Sequence, residues 1–161
     1  MVPLETLKRI QFVQDLSDDH LQRLAEMAEI KEFPADGVVF REGQQSSSVY
    51  LVVRGTLALQ FNVPTRRMMP FQTAGAGELL GWTPVLGPGP LTATARVLTP
   101  STLVVLDVAQ LRSLCAGDPT FGSAFMHHLA WALATRLSAT RLFLMDLYRE
   151  DQLPAQQERI V

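Results

Sequence analysis

The sequence is poor in cysteine and in long apolar runs, and each shortage excludes a class of protein. A single cysteine, Cys115, occurs in 161 residues, which excludes an internal disulfide and a cysteine-based zinc or iron–sulfur site. No run of about 18 apolar residues is present, so we expect no membrane-spanning helix. The first ten residues also lack the apolar stretch of a signal peptide. These shortages predict a protein of the reducing cytoplasm.

Motifs of catalysis and metal binding are equally scarce. Neither a Gly-x-Ser-x-Gly elbow nor a P-loop occurs, so we expect no enzyme. The histidines are His20, His127 and His128, and the adjacent pair would point about 100° apart on a helix, which prevents them from sharing a metal within one chain. Residues 30–106 contain no histidine, which excludes a cupin-type metal enzyme. Haem bound through one histidine, with Cys115 or a partner's ligand, is left open as an alternative.

Charge is sparse and unevenly distributed. The net charge is −2, and charged residues make up 19% of the chain, which is typical of one globular domain and gives no reason to expect nucleic-acid binding. Residues 43–106 hold Arg54, Arg66, Arg67 and Arg96 against the single acid Glu78. This positive segment either hosts a small anion or carries solvated arginines on loops.

The first 30 residues have helical patterns. Ser17 can cap a helix and the two acids that follow it complement the helix dipole, which predicts a helix over residues 18–28. A shorter helix precedes it, and its apolar positions recur every third residue at Leu4, Leu7, Ile10 and Val13.

From Ile30 onwards the pattern changes to short β-like runs separated by turn residues. This arrangement indicates an antiparallel sandwich or barrel, and no helix-length segment separates the runs as parallel βαβ units would require. The runs cover residues 30–33, 38–40, 49–53, 56–61, 67–71, 92–98 and 101–106.

After Asp107 the chain becomes helical again. A short helix is predicted over residues 108–116, followed by a long one over about residues 120–149, which lack proline. The long helix would measure about 45 Å, more than so small a barrel can cover. We therefore expect the same helix of a second subunit to bury the rest of its apolar face, the alternative being a helix that lies wholly across its own barrel. The apolar face is formed by Phe125, Leu129, Ala132, Leu133, Leu137, Thr140, Leu144 and Leu147.

The predicted fold class is α+β, mainly β: an antiparallel β-roll (a double-stranded jelly roll) with N-terminal helices and a long C-terminal helix. One domain should cover residues 1–149, with a polar tail over residues 150–161. Only twelve residues follow Arg149, so we expect no helix-turn-helix and no DNA binding by this chain.

This order of elements resembles the cyclic-nucleotide-binding domain of the CRP–FNR regulators over about residues 4–148. Residues 33–43 (FPADGVVFREG) look like the first hairpin of that family, and residues 47–55 (SSVYLVVRG) look like its barrel-core strand. Residues 75–81 (GAGELLG) look like the start of its phosphate-binding cassette. Residues 136–140 (RLSAT) look like the ligand-facing part of its dimer helix. The resemblance implies a homodimer with a cyclic nucleotide as the possible ligand.

In that family a glycine–glutamate pair opens a short helix that holds the cyclic phosphate, and a downstream arginine pairs with the phosphate. The resemblance gives these cassette roles to Gly77 and Glu78, with a short helix beginning over residues 79–82. Thr140 matches the position that reaches the purine, or else it is a small residue at a helix seam. The ligand-binding residues implied in this way are Gly77, Glu78, Leu79, Leu80, Thr92, Ala93 and Thr140.

The position of the cassette arginine is occupied by Leu91. Leucine offers nothing in place of a charge-assisted guanidinium–phosphate pair, so we expect atypical or absent cyclic AMP binding. Arg66 and Arg67 lie in the neighbouring hairpin and are the possible substitutes, whereas strand alternation should turn Arg96 outward. Glu78 has an alternative role as a helix cap.

Two functions are compatible with these residues. The first is a small-molecule-sensing regulatory module that signals to a partner protein. The second is a ligand-free dimerisation or assembly protein that keeps the fold without sensing. The apolar residue Leu91 favours the second function, and the cassette residues Gly77, Glu78 and Thr92 favour the first.

Overall fold

The computed structural model describes residues 1–64 and 66–152, and it forms a β-roll flanked by helices. The strands form one antiparallel sheet in the order β1-β6-β3-β4, with β2 paired to β6 and β5 paired to β3. The predicted fold class is thereby confirmed. In chain order the elements are α1 (Leu4–Lys8), α2 (Asp18–Met27), β1 (Ala28–Phe33), β2 (Val38–Phe40), β3 (Ser48–Val63), β4 (Arg66–Ala74), β5 (Leu79–Leu80), α3 (Thr83–Leu86), β6 (Thr94–Asp107), α4 (Val108–Gly117) and α5 (Pro119–Gln152).

Two long, bent strands form the centre of the roll. Strand β3 has 16 residues and β6 has 14, and their antiparallel register shifts between Val52 and Leu57. Gly55 lies at this bend with a φ of 108°, a backbone conformation that residues other than glycine rarely adopt. Each pair of short runs predicted from the sequence, 49–53 with 56–61 and 92–98 with 101–106, is therefore one continuous strand that bends without ending.

The helix boundaries differ from the predicted ones at several ends. Helix α1 ends at Lys8, and the following residues form turns in which Ile10 N–H donates to Leu7 O at 3.0 Å. Helix α2 ends at Met27 because Ala28 already pairs with Leu106 in the sheet. Helix α5 runs three residues beyond the predicted end, to Gln152, and residues 153–161 of the predicted tail lie outside the described residues.

The predicted cap of α2 is present, since Ser17 Oγ accepts a hydrogen bond from His20 N–H at 3.2 Å.

Two apolar cores are present. One core joins the N-terminal helices, α4 and the first turns of α5, where the Phe12 ring meets Phe125 edge-on at 5.4 Å. The other fills the interior of the roll and includes Leu91, which is only 3% exposed. Burial of each such side chain contributes about 1.5–3 kcal/mol. Leu91 is therefore a core residue of the roll as well as a departure from the family pattern.

The fully buried side chains of helix α5 end at Leu129, although later residues still contact the roll. Its side chains are buried at Phe121, Phe125 and Leu129, but Leu137 is 71% exposed. No helix within residues 1–64 and 66–152 combines the length and the apolar character that membrane crossing requires. The further exposed apolar residues of α5 are Met126, Trp131, Leu142, Leu144, Met145 and Tyr148.

Candidate functional site

A cavity of about 250 Å³ lies between the roll and helix α5. Side chains from the roll, from the segment after β5 and from α5 all form its walls, so it belongs to both parts of the domain. Its lining is mainly apolar and consists of Phe40, Leu59, Phe71, Gln72, Leu80, Gly81, Trp82, Thr83, Leu91, Thr92, Ala93, Leu133, Arg136, Leu137 and Thr140.

The backbone around Leu91 explains why this residue forms part of the cavity wall. Leu91 N–H donates to Gln44 O at 2.9 Å, and Gly43 N–H donates to Leu91 O at 2.7 Å. These bonds tie the loop to the turn after β2 and hold the Leu91 side chain against the roll core. The predicted first-hairpin residue Gly43, with a φ of 82°, is thus one of the groups that position Leu91.

The structure brings together some of the predicted ligand-binding residues and separates others. Four of them, Leu80, Thr92, Ala93 and Thr140, line the cavity. The remaining three line a second cleft of about 540 Å³, which also involves Gln11, Phe12, His127, His128 and Trp131; these three are Gly77, Glu78 and Leu79.

The separation follows from strand alternation in β5. Successive residues of a strand point to opposite faces, and Leu79 packs into the helical core whereas Leu80 packs into the roll core beside the cavity. Residues 79–80 pair with Tyr50 and Leu51 of β3. The prediction of a helix beginning over residues 79–82 is therefore wrong, because β5 occupies its start and α3 begins only at Thr83.

Glu78 closes the turn that precedes β5. Its Oε2 accepts a hydrogen bond from Gly75 N–H at 2.6 Å, and its Oε1 lies 3.6 Å from Arg136 Nη2. The carboxylate thus caps its own turn and faces the cation of α5, outside the cavity lining. The capping alternative agrees with these contacts, although the capped element is a turn and not a helix.

The short helix next to the cavity is opened by a different pair of residues. Gly81 has a φ of 75°, and a Cβ at this position would lie 3.3 Å from the rings of Phe40 and Tyr50. Trp82 follows it and is the N-cap of α3. If the family pattern is matched to the helix and not to the Gly-Glu dipeptide, Trp82 stands where a glutamate is expected. Leu91 in turn stands where an arginine is expected, so both charged positions are apolar.

Arg136 is the charged residue that lines the cavity within the described part of the chain. Its Nη1 donates to Gln72 Oε1 at 3.1 Å, and its Nη2 lies 3.4 Å from Leu79 O. The guanidinium carbon lies 5.6 Å from the centre of the Trp82 ring. Burial lowers the pKa of Arg136, and the nearby charge of Glu78 acts in the opposite direction. The described walls therefore hold a desolvated cation among mainly apolar side chains.

Gln72 connects β4 to α5. Its Nε2 donates to Thr140 Oγ1 at 2.7 Å and to Arg136 O at 2.9 Å. These contacts fix the helix against the roll at the cavity mouth. Gln72 and Trp82 were not predicted as wall residues, although Gln72 precedes the cassette and Trp82 directly follows Gly81, the third glycine of the motif.

Arg96 is exposed on β6 and does not line the cavity, as strand alternation predicted. The side chains of Arg66 and Arg67 lie outside the described part of the structure.

Comparison with known proteins gives one family match and several relatives. The family model for the cyclic nucleotide-binding domain matches residues 30–118. The chain is 26% identical over 147 residues to a CRP-like cAMP-activated global transcriptional regulator of Mycobacterium tuberculosis, covering 91% of this chain and 64% of that protein. It is 29% identical over 146 residues to the HTH-type transcriptional regulator Cmr of the same organism, covering 91% of this chain and 57% of that protein. The chain therefore spans less than two thirds of either relative.

A similar solved structure is that of a Geobacter metallireducens GS-15 protein named for cyclic nucleotide binding. The two chains share 26% identity and a TM-score of 0.75, and the match covers 85% of this chain and 99% of that one. This match is therefore longer than the family-model match over residues 30–118.

Proposed function

We propose that this chain, which belongs to the cyclic nucleotide-binding domain family, is a small-molecule-sensing regulatory module with its effector site in the cavity between the roll and α5. The supporting observation is that both parts contribute walls, Leu80 and Leu91 from the roll and Leu133 and Leu137 from the helix. A ligand that contacts both the roll and α5 would stabilise one position of the helix relative to the roll. A partner protein could then detect the position of α5.

The proposed effector differs from cyclic AMP bound in the usual manner. A cyclic phosphate loses its water on entering such a site and needs charged or polar partners there. Trp82 and Leu91 supply neither the carboxylate nor the guanidinium of the family pattern. We therefore propose weak or absent cyclic AMP binding and an effector with more apolar surface.

The proposal includes a homodimer formed through α5. Its C-terminal half presents Leu137, Leu144 and other exposed apolar side chains that nothing in the described chain covers. The two Mycobacterium relatives are transcriptional regulators by name, which supports a regulatory role and leaves the partner of this chain open.

A second candidate function is supported by the burial of Leu91. Because this residue belongs to the roll core, the cavity wall has a structural role that needs no ligand. The domain would then be a ligand-free dimerisation or assembly protein that retains the fold.

Fluorescence and thermal unfolding distinguish the two candidates. The chain has two tryptophans, Trp82 on the cavity wall and Trp131, which is 74% exposed. In Trp131→Phe, emission from Trp82 reports occupancy of the cavity. We would titrate this variant with cyclic AMP, cyclic GMP, cyclic di-GMP and a panel of small neutral and acidic aromatic compounds. An effector at 100 times its dissociation constant should stabilise the fold by about 2.7 kcal/mol, a shift of several degrees.

A filled-cavity variant provides the matched control. Ala93→Leu adds volume at the wall, whereas Ala139→Leu adds the same volume at an exposed position of α5 that does not line the cavity. If the cavity is the effector site, the wild type and Ala139→Leu should show the thermal shift and the change in emission, and Ala93→Leu should show neither. If no compound raises the melting temperature and Ala93→Leu is more stable than the wild type, the assembly protein is favoured. Binding of cyclic AMP with a micromolar dissociation constant would overturn the proposal that its binding is weak or absent.

A further inference from the structure

We infer that Arg136 makes the cavity selective for small carboxylic acids with apolar bodies, which it holds from the helix side and not from the roll. This inference rests on the proposed function, because it names the chemical class of the effector. Three observations support it: the contacts of the guanidinium, the position of Glu78 and the mainly apolar lining of the rest of the cavity.

The guanidinium is buried but only loosely engaged. The Arg136 side chain is 11% exposed, and its contacts with Gln72 Oε1, Leu79 O and Glu78 Oε1 measure 3.1, 3.4 and 3.6 Å. Charge-assisted hydrogen bonds are shorter, about 2.7–2.9 Å. All three contacts use Nη1 or Nη2, although a guanidinium carries five N–H donors. Donor capacity therefore remains for a ligand.

Glu78 compensates the charge of Arg136 only in part. Its side chain is 44% exposed, so water screens it more than it screens the guanidinium. Its Oε2 is already engaged by Gly75 N–H. The lowered pKa of Arg136 has the same origin, since burial outweighs the favourable effect of Glu78. A desolvated cation with a partial counterion is stabilised by a further anion.

The Trp82 ring favours a planar acceptor at this position. The guanidinium lies over its face at 5.6 Å, which restricts the orientation of the fork while leaving its edge available. A carboxylate matches that edge with two parallel hydrogen bonds. Among the side chains that the structure describes, the cation on the cavity wall is Arg136, and one negative charge on the ligand would balance it.

The rest of the cavity determines the body of the ligand. The volume of about 250 Å³ lies below the roughly 300–1,000 Å³ typical of pockets for drug-sized molecules, so the ligand is small. Its body would contact aliphatic and aromatic side chains, and these are Phe40, Leu59, Leu80, Leu91, Leu133 and Leu137.

The test compares two probes of the same ring and similar size, the anion 2-naphthoate and its neutral amide 2-naphthamide. Both are titrated into the wild type and binding is measured by isothermal titration calorimetry, because naphthalene absorbs and emits in the same range as tryptophan. We expect naphthoate to bind at least about tenfold more tightly, the effect of one charge-assisted interaction. Arg136→Gln should remove this preference, so that naphthoate binds no more tightly than naphthamide. Arg141→Gln, an exposed control on the same helix that does not line the cavity, should retain it.

Glu78→Gln distinguishes a ligand-binding role of Arg136 from a purely structural one. Removing the partial counterion should strengthen naphthoate binding several-fold and leave naphthamide unchanged. This variant also carries the test if Arg136→Gln fails to fold, as judged by circular dichroism. Weaker or unchanged naphthoate binding in Glu78→Gln would overturn the inference.

The outcomes separate this inference from the function on which it rests. Equal affinities for the two probes, unaffected by Arg136→Gln, would overturn the role of Arg136 and leave the effector cavity supported. Binding of neither probe would also overturn the inference. In that case the comparison of Ala93→Leu with Ala139→Leu in the broader screen would decide the proposed function independently.

Discussion

Gly55 is the residue on which the bend of β3 depends. Its φ of 108° and its contact with β6 leave no room for a side chain, since a Cβ would overlap the side chain of the fully buried Ser101. Gly55→Ala should therefore lower the free energy of unfolding by roughly 3 kcal/mol, combining backbone strain with overpacking. Urea denaturation measures this difference.

Gly117→Ala is the control for Gly55→Ala. Gly117 lies at the end of α4 with open space around the position of its Cβ, so alanine should be neutral or stabilising by up to about 1 kcal/mol. A Gly55→Ala variant as stable as the wild type would show that β3 can bend without the left-handed residue.

The sequence predicted several wall residues of the cavity but not which glycine lies next to it. Leu91, which the resemblance places at the cassette-arginine position, lines the cavity together with Thr92 and Ala93. Gly77 and Gly81 both have positive φ values, 92° and 75°, and only the first is followed by glutamate. The choice between them depends on the pairing of Tyr50 with Leu80, a contact between segments far apart in sequence. Local motifs carry no information about such a pairing.

At the scale of elements, prediction succeeded where the signal was local. Ser17 marks the start of α2 because its hydroxyl contacts a backbone N–H three residues away. Strand β5 has only two residues and exists through its ladder with β3, so no periodicity could reveal it. The continuity of β3 and β6 was missed because turn residues within a bent strand look like those between separate strands.

The junction between α4 and α5 is an element boundary with a predicted pH dependence. Asp118 Oδ1 accepts from Phe121 N–H at 3.1 Å, and its Oδ2 lies 3.1 Å from His20 Nε2 and 3.4 Å from Arg23 Nη1. The hydrogen bond from Phe121 and, secondarily, His20 and Arg23 hold the pKa of this carboxyl below its usual value. The depressed pKa contributes stability that is present above the unfolded carboxyl's pKa, about 3.9. That stability is lost as the pH falls through the folded value.

Asp118→Asn isolates the charge because the amide oxygen can still cap α5. We expect the variant to melt at a lower temperature than the wild type at pH 7, and the difference to shrink as the pH falls below about 4, where both side chains become neutral. Melting temperatures from pH 7 to pH 2.5 measure this. Asp146→Asn, an exposed change on α5, should show no such convergence. A difference that stays constant with pH would mean that the charge of Asp118 is not responsible.

At the scale of the whole molecule, α5 continues for 23 residues beyond Leu129, its last fully buried residue. Its 34 residues span about 51 Å, and its fully buried positions end at Leu129. Beyond that point Leu137, Leu144 and Tyr148 are exposed and lie at spacings of seven and four residues, on one face of the helix. A face of this kind is characteristic of association between helices, and the proposed partner is a second copy of α5.

Leu144→Glu tests this association without disturbing the fold of the monomer, because Leu144 is exposed and lies outside both cores. Light scattering at tens of micromolar should give a dimer for the wild type and the 17.8 kDa monomer for the variant. Ala139→Glu places the same charge on the opposite side of the helix and should remain dimeric. A wild-type monomer at that concentration would reject the dimer. Because Leu137 belongs both to the exposed face and to the cavity wall, the dimer should also alter the effector site, and Leu144→Glu should change probe affinity although Leu144 does not line the cavity.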